Sequence, residues 1–203
     1  MNLVHDYLIF LNMNNIAVFA SGSGTNAENL IRFFRPGTIA DVKLVLCNKP
    51  GAGVLERARN LDVETVLFDR EELYHSDRVM DKLKEYEIDL VVLAGFLWLV
   101  PEKLVRAFPG AIVNIHPALL PKYGGKGMYG DRVHKAVIEN GEKESGITIH
   151  YVNEKYDEGN IIFQATCPVV DDETPESLAK KIHALEYEHF PRVISEVVNN
   201  NPH

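Results

Sequence analysis

Residues 16–27 read Ile-Ala-Val-Phe-Ala-Ser-Gly-Ser-Gly-Thr-Asn-Ala, and this stretch indicates the fold class. Its first five residues form a short apolar run, which is typical of a strand buried on both faces. The run leads into a Gly22-x-Gly24-x-x-Ala27 loop, after which apolar residues recur with helical spacing. A strand, a glycine-rich loop and a helix in this order predict the start of a βαβ unit.

The same alternation continues as far as His116, and it predicts a mostly parallel sheet flanked by helices. The predicted strands of this part are Ile16–Ala20, Val42–Cys47, Val63–Phe68, Asp89–Ala94 and Ala111–Ile115. The predicted helices are Asn26–Phe34, Val54–Leu61, Asp77–Tyr86 and Pro101–Ala107. The charges of Glu71–Glu87 are interpreted as a solvated helix face.

After His116 the pattern changes. Residues 117–130 are rich in Pro, Gly and Lys and predict a functional loop, followed by a helix over Arg132–Asn140. Two further strands, Gly146–Val152 and Ile161–Val169, predict an antiparallel extension of the sheet. Thr174-Pro175 marks the start of a closing helix, which Pro191 is predicted to kink.

Composition is that of one globular domain. The chain has 203 residues, of which 46% are hydrophobic and 25% charged, and these values exclude disorder, a collagen-like repeat and a disulfide scaffold. We predict one domain over residues 13–203, preceded by an extension, Met1–Asn12, outside the fold. Cys47 and Cys167 match no metal or redox spacing and predict two buried, reduced thiols in a cytoplasmic protein.

The balance of charge limits the partners. With 21 Lys and Arg against 29 Asp and Glu, the formal net charge is −8, which argues against binding to nucleic acid or to an anionic membrane. No apolar run approaches the ~20 residues of a membrane span, and the first residues lack the basic and small-residue features of a signal peptide. Small-molecule ligands are the expected partners.

The glycine loop has three readings. Small residues let the backbone approach an anion, whose charge the free amides at a helix start can bind. Ser23, Thr25 and Asn26 add side-chain donors, which favours a terminal phosphate. A dinucleotide-binding site usually has a carboxylate at the end of the second strand, where this chain has Asn48. A tight turn without a ligand stays open.

Asn114-Ile-His116-Pro117 ends the fifth strand, where open α/β sheets bind their ligands. Asn114 and His116 are two residues apart and so point to the same face. An amide and an imidazole together supply an oxyanion donor and a proton-transfer group. Asp157, in the polar turn between the last two strands, is a candidate third member. From these residues alone, a structural role for the pair stays open.

At these positions the chain resembles the formyltransferases that use 10-formyltetrahydrofolate, and within them the branch that formylates glycinamide ribonucleotide in purine synthesis. The resemblance runs from Ile16 to about Val198. It rests on Ala20-Ser-Gly-Ser-Gly-Thr-Asn26, Asn48-Lys49, Ala94-Gly-Phe96, Asn114-Ile-His-Pro-Ala-Leu-Leu-Pro-Lys-Tyr123 and Asp157-x-Gly159-Asn-Ile-Ile-x-Gln164. It implies a Rossmann-like formyltransferase fold.

The resemblance also implies roles for individual residues. Asn114 and a protonated His116 would stabilise the oxyanion formed when the substrate amine attacks the formyl carbon, while Asp157 would orient the imidazole and raise its pKa. The substrate phosphate would be held by Gly24, Thr25 and Asn26, and the ribose by Glu186. The folate would contact Arg70, Leu97, Trp98, Leu99, Val100, Asn114, Asn153, Glu154, Lys155 and Tyr156. No metal is implied, and a monomer or a homodimer is expected.

Three departures from the family pattern are visible. The segment Tyr123–Gly130 is several residues longer than the Pro-Gly that often follows Lys-Tyr, although His134 follows in a family-like place. Trp98 stands where an Arg is common. The family's Arg after the third strand has only Arg70 as a counterpart.

Alternative functions are a formyltetrahydrofolate hydrolase, which shares the Asn, His and Asp set, a nicotinamide-dependent oxidoreductase, and a non-catalytic nucleotide-binding module. His150 is interpreted as a packed structural residue. His183 and His189 are six residues apart and do not share a helical face, so they predict no metal pair.

Overall fold

The computed structural model describes residues 14–35 and 39–200, so the predicted extension Met1–Asn12 lies outside the described residues. Within them the strands are β1 (Asn14–Ala20), β2 (Ala40–Cys47), β3 (Glu64–Leu67), β4 (Leu90–Leu93), β5 (Ile112–His116), β6 (Glu144–Tyr151) and β7 (Ile161–Pro168). The helices are α1 (Thr25–Phe33), α2 (Gly53–Arg59), α3 (Arg70–Tyr74), α4 (Arg78–Glu85), α5 (Glu102–Ala107), α6 (Asp131–Glu139) and α7 (Pro175–Asn200).

The described strands form one seven-stranded sheet in the order β3-β2-β1-β4-β5-β6-β7. Strands β1 to β5 are parallel, and Val18 in the central β1 pairs with Val45 of β2 and Val92 of β4. Strand β6 runs antiparallel to both β5 and β7. The predicted fold class, a mostly parallel sheet with an antiparallel C-terminal extension and a closing helix, is confirmed.

Alternation along β1 divides the core into two layers. Ile16 and Val18 face one layer, which the helices α1, α2, α6 and α7 cover. Ala17 and Phe19 face the other layer, covered by α3, α4 and α5. All four of these side chains are fully buried, as expected for a central strand between two layers of helices.

Helix α3 is a short element that we did not predict from hydrophobic periodicity. It begins after Asp69, whose side chain accepts from the Glu72 N–H while the Glu72 side chain accepts from the Asp69 N–H. This capping box is readable in the sequence as Asp-x-x-Glu. Five residues are too few to show a helical period, so the cap was the usable signal.

The closing helix α7 passes through Pro191 as one continuous element. Proline has no N–H, so the carbonyl of Tyr187, four residues earlier, loses its helical donor. The side-chain amide of Asn29 in α1 donates to that carbonyl at 2.8 Å. The described helix therefore continues through Pro191, and a neighbouring helix supplies the missing hydrogen bond. A bend at this residue stays a prediction.

Candidate active site

A cleft of about 570 Å³ opens beyond the carboxyl ends of β1, β4 and β5. Ligands bind at this edge of open α/β sheets because the loops that follow the strands converge there. The predicted site residues that line the cleft are Gly24, Thr25, Asn26, Leu97, Asn114, His116, Tyr156, Asp157 and Glu186. The structure thus brings the catalytic, phosphate and ribose candidates into one cavity.

Asn114 is held in place by His150 on the neighbouring strand. The two residues are directly opposite in the β5–β6 register. A carbonyl only accepts, so the 2.8 Å contact with the Tyr151 carbonyl places a proton on His150 Nδ1. His150 Nε2 then accepts from the Asn114 amide at 3.1 Å. The buried His150 therefore orients Asn114, a contact that our interpretation of His150 as a packing residue missed.

Asp157 lies between the two histidines. Its Oδ2 is 3.6 Å from His116 Nδ1, and its Oδ1 is 3.6 Å from His150 Nε2. Oδ1 also accepts from Asn114 Nδ2 at 3.4 Å, and Oδ2 accepts from the Gly125 N–H at 2.9 Å. The side chain of Asp157 is 11% exposed, so its charge acts on these neighbours with little screening by water.

Asp157 acts on the pKa of His116 in the predicted upward direction, but the net shift is downward. Burial, which disfavours the imidazolium, lowers the pKa of His116, and it outweighs the upward effects of Asp157 and of the Tyr123 carbonyl. Burial raises the pKa of Asp157, but the neighbouring His150 and His116 and the hydrogen bond from the Gly125 N–H bring that pKa below its ordinary value. Asp157 is therefore a carboxylate at neutral pH.

Residues 21–26 form the glycine loop between β1 and α1. Gly24 precedes α1 with φ of 80°, a left-handed conformation that glycine adopts readily. A Cβ atom at Gly24 would lie 2.5 Å from the Cα of Val54, so the close approach of α2 also requires glycine there. Helix α1 has no side-chain cap, which leaves its first N–H groups available to an anion.

Glu186, the ribose candidate, contacts the phosphate candidate Asn26. Its Oε2 accepts from Asn26 Nδ2 at 2.9 Å and lies 3.0 Å from His183 Nδ1. The hydrogen bond to Glu186 raises the pKa of His183 more than partial burial lowers it. His189, in contrast, packs against the Phe163 ring with centroids 5.0 Å apart. Among the described residues, no group of His, Cys, Asp and Glu is arranged to hold a metal ion.

Part of the predicted folate surface lies outside the lining of this cleft. Those residues are Arg70, Trp98, Leu99, Val100, Asn153, Glu154 and Lys155. Val100 is buried in the core under α5. Two backbone groups of the segment already have partners, since the Leu97 N–H donates to Ser21 Oγ at 3.1 Å and the Leu99 carbonyl accepts from the Tyr74 hydroxyl at 2.8 Å.

Trp98 and Arg70 lie together beside this segment. The guanidinium carbon of Arg70 is 4.6 Å from the centroid of the Trp98 ring, a distance at which a cation and an aromatic face attract. Trp98 also contacts the rings of Phe68 and Phe96. A cation is therefore present next to the position where the family pattern has an arginine.

Our assignments did not include several cleft residues from the lengthened loop and α6. They are Lys126, Met128, Tyr129, Arg132 and His134. Arg132 lies over the Tyr129 ring, 5.0 Å from its centroid. His134 is 3% exposed, and its Nδ1 is a buried atom without a hydrogen-bond partner among the described residues. The only available signal was the density of Gly and Lys after the fifth strand.

A formyl transferase family model matches residues 14–194. The chain belongs to the formyl transferase family. This chain is 43% identical over 188 residues to the chloroplastic phosphoribosylglycinamide formyltransferase of Arabidopsis thaliana, covering 90% of this chain and 64% of that protein. It is 34% identical over 194 residues to phosphoribosylglycinamide formyltransferase of Bacillus subtilis, covering 93% and 97% of the two chains.

Solved structures agree with this family assignment. The glycinamide ribonucleotide transformylase 1 of Geobacillus kaustophilus is 38% identical to this chain with a TM-score of 0.83, over 92% of this chain and 99% of that one. The corresponding protein of Symbiobacterium toebii has a TM-score of 0.85 at 35% identity, over 93% and 89%. The chain spans only 64% and 59% of two plant relatives.

Among residues 14–35 and 39–200, no helix has both the length and the apolar character needed to cross a bilayer. Cys47 and Cys167 are buried and free, as predicted.

Proposed function

We propose that this chain transfers the formyl group of 10-formyltetrahydrofolate to the amine of glycinamide ribonucleotide, a step of purine synthesis. The observation that carries the proposal is the convergence of Asn114, His116 and Asp157 on one cleft with the glycine loop. Similarity to phosphoribosylglycinamide formyltransferases of comparable length supports the choice of substrates.

The chemistry follows from the groups in the cleft. The neutral amine attacks the formyl carbon, a C–N bond forms, and the carbonyl oxygen becomes an oxyanion. The Asn114 amide and the positive charge of a protonated His116 stabilise that oxyanion. The bond from carbon to the folate nitrogen then breaks, and the proton lost by the amine ends on the leaving nitrogen. Asp157 favours the charged form of His116 throughout, because an adjacent carboxylate stabilises an imidazolium.

For the ribonucleotide, we propose that Gly24, Thr25 and Asn26 bind the phosphate and Glu186 binds the ribose. The free N–H groups at the start of α1 support the first assignment. The second is supported by the position of the buried Glu186 carboxylate, 2.9 Å from the Asn26 amide. A dinucleotide is disfavoured because β2 ends at Cys47–Asn48 without a carboxylate.

For the folate, we propose contacts along Leu97–Leu99 and Asn153–Tyr156, with Arg70 as the cation on this side, and we leave out Val100 because it is buried in the core. Leu97 supports the assignment because it is 43% exposed and lines the cleft, although it is apolar. The assignment of Arg70 is supported by its stacking on Trp98, because this contact holds the guanidinium beside the proposed folate segment. We also propose a cytoplasmic monomer or homodimer without nucleic-acid partners, in line with the two free thiols and the net charge of −8.

One assay tests the proposal: formyl transfer from 10-formyltetrahydrofolate to glycinamide ribonucleotide, run beside a control lacking the ribonucleotide. We expect turnover only when the amine is present. His116→Ala should lower kcat about 10²–10⁴-fold, and Asn114→Ala about 10²–10³-fold. Equal release of formate in both reactions would instead identify a hydrolase, and wild-type turnover by either variant would contradict the assigned roles.

A further inference from the structure

The lengthened loop starts with a residue in an unusual conformation that contacts the catalytic histidine. Tyr123 has φ of 57°, in the left-handed region that non-glycine residues seldom adopt. Its carbonyl oxygen is 2.8 Å from His116 Nε2. Because a carbonyl only accepts, His116 Nε2 carries a proton and donates to it. The orientation of one backbone carbonyl therefore determines which ring nitrogen of His116 is protonated in the neutral form.

The side chain of Tyr123 is hydrogen-bonded to a residue outside the cleft. Its hydroxyl donates to Glu142 Oε1 at 2.9 Å, across the loop that follows α6. Glu142 also accepts from Lys122 Nζ at 2.9 and 3.1 Å. The side chain of Lys122 is 67% exposed and that of Glu142 is 24% exposed, so the hydroxyl contact is the less solvated of the two. Glu142 is absent from the lining of the cleft.

The next two residues of the loop fit closely against Asp157. A Cβ atom at Gly124 would lie 2.6 Å from Leu120 Cδ2 and 3.3 Å from Asp157 Cβ, so a side chain at this position would crowd both residues. The Gly125 N–H donates to Asp157 Oδ2. Tyr123 and Gly125 therefore contact the two members of the His116–Asp157 pair. The Tyr123 ring packs against the hydrophobic core, and its hydroxyl adds the hydrogen bond to Glu142.

From this geometry we infer that Glu142 is a positioning residue for catalysis. It holds Tyr123 in its left-handed conformation through the hydroxyl, and so aims the Tyr123 carbonyl at His116 Nε2 from the side opposite Asp157. The inference rests on the proposed function, because it gives Glu142 a part in the work of His116. A residue in a sparsely populated backbone region persists only when its surroundings hold it there.

The direction of the effect on His116 follows from its neighbours. Asp157, the Tyr123 carbonyl and the carboxylate of Glu186 on α7 favour the imidazolium, while burial and His150 on β6 oppose it. His134 on α6 is a further histidine nearby, and burial and, to a smaller extent, the charge of His116 lower its pKa. Moving the Tyr123 carbonyl away removes one favourable contact and leaves the opposing ones in place. His116 should then lose its proton at a lower pH.

The test compares Glu142→Leu, Glu142→Gln, Tyr123→Phe and Lys122→Met. Glutamine keeps an acceptor for the tyrosine hydroxyl, whereas leucine does not, and Tyr123→Phe removes a single oxygen atom. Lys122→Met is the matched control, because it breaks only the exposed ion pair. The readouts are the His116 titration by NMR of ¹⁵N-histidine-labelled protein, assigned with His116→Asn, and kcat and KM of formyl transfer.

We expect Glu142→Leu and Tyr123→Phe to lower the pKa of His116 and to reduce kcat about 10- to 100-fold with little change in KM. Glu142→Gln and Lys122→Met should resemble the wild type. Titration and kcat in Tyr123→Phe that match the Lys122→Met control would overturn the inference, even if Glu142→Leu fails to fold. The NMR titration does not depend on turnover, so an inactive wild type would refute the proposed function and still leave the positioning role tested.

Discussion

The surroundings of the His116 imidazole have opposing effects on its protonation. Its side chain is 5% exposed, which penalises the charged form, yet a carboxylate lies 3.6 Å from Nδ1 and a carbonyl 2.8 Å from Nε2. Both acceptors suit an imidazolium, because only that form carries a proton on each nitrogen. The site therefore stabilises a charge that burial disfavours, and small changes around the ring should alter its protonation.

Asp157→Asn is the substitution that changes this balance most directly. The loss of the carboxylate should lower the pKa of His116 further, since its upward effect disappears while burial remains. If the protonated form stabilises the oxyanion, the fall of kcat/KM on the alkaline side should move to lower pH. We expect a pH–rate profile to show this shift, and calorimetry to show nearly unchanged ribonucleotide affinity.

A loss confined to ribonucleotide affinity, with an unshifted pH–rate profile, would contradict this role for Asp157. Glu158→Gln is a suitable control, because Glu158 is the adjacent carboxylate and its recorded ion pair is with Lys155, 3.0 Å away on the surface. It should leave both measurements close to those of the wild type.

At the scale of elements, α1 and α7 depend on one another. Proline in a helix interior removes a hydrogen bond, and the unpaired carbonyl usually needs another donor. Asn29 supplies it to Tyr187 from α1, the same helix whose first turn follows the glycine loop. The contact also fixes α7 next to α1, and α7 carries Glu186 towards Asn26. The hydrogen bond that compensates for Pro191 thus also helps to align Glu186 with Asn26.

A double-mutant cycle measures this dependence. Asn29→Ala leaves the Tyr187 carbonyl without a partner and should lower the free energy of unfolding by about 1–3 kcal/mol. Adding Pro191→Ala restores a backbone N–H at position 191, so the double variant should recover part of that loss. Urea denaturation with a constant m-value is the measurement. Strictly additive effects of the two substitutions would show that Asn29 does not act through the carbonyl.

At the scale of the whole molecule, the cleft is assembled from segments distant in the sequence. Strand ends of β1, β4 and β5 form its floor, the lengthened loop and α6 form one wall, and α7 contributes Glu186. The net charge of −8 opposes anionic ligands, whereas Lys126 and Arg132 line the cleft itself. Local groups, rather than the overall field, would therefore govern the binding of the proposed anionic ligands.

Because the proposed binding sites lie where these segments meet, each ligand should stabilise the entire fold. A ligand at 100 times its Kd adds about 2.7 kcal/mol to the free energy of unfolding. For a chain of this size, that corresponds to a rise in Tm of about 5–10 °C. We expect glycinamide ribonucleotide and a non-reactive folate analogue to give such shifts separately, and a larger one together. A Tm unaffected by the ribonucleotide would contradict the proposed phosphate and ribose site.

Much of the architecture was predictable because its signals are local. The apolar runs of β1 and β4 and the change of pattern after His116 predicted the parallel half and the antiparallel extension, which the structure confirms. Helix α3 escaped the periodicity argument because five residues make little more than one turn. The continuous path of α7 through Pro191 depends on a donor 158 residues away in the sequence, so no local pattern reveals it.

By itself, the sequence determined the fold class, the buried thiols, and the presence of Asn114 and His116 on one face at the end of a strand. These follow from alternation along the chain and from residue type, which are local properties. Only the tertiary structure decided that His150 orients Asn114, that burial outweighs Asp157 in setting the His116 pKa, and that Tyr123 connects Glu142 to His116. Such contacts join residues on different elements, and desolvation depends on everything packed around a group.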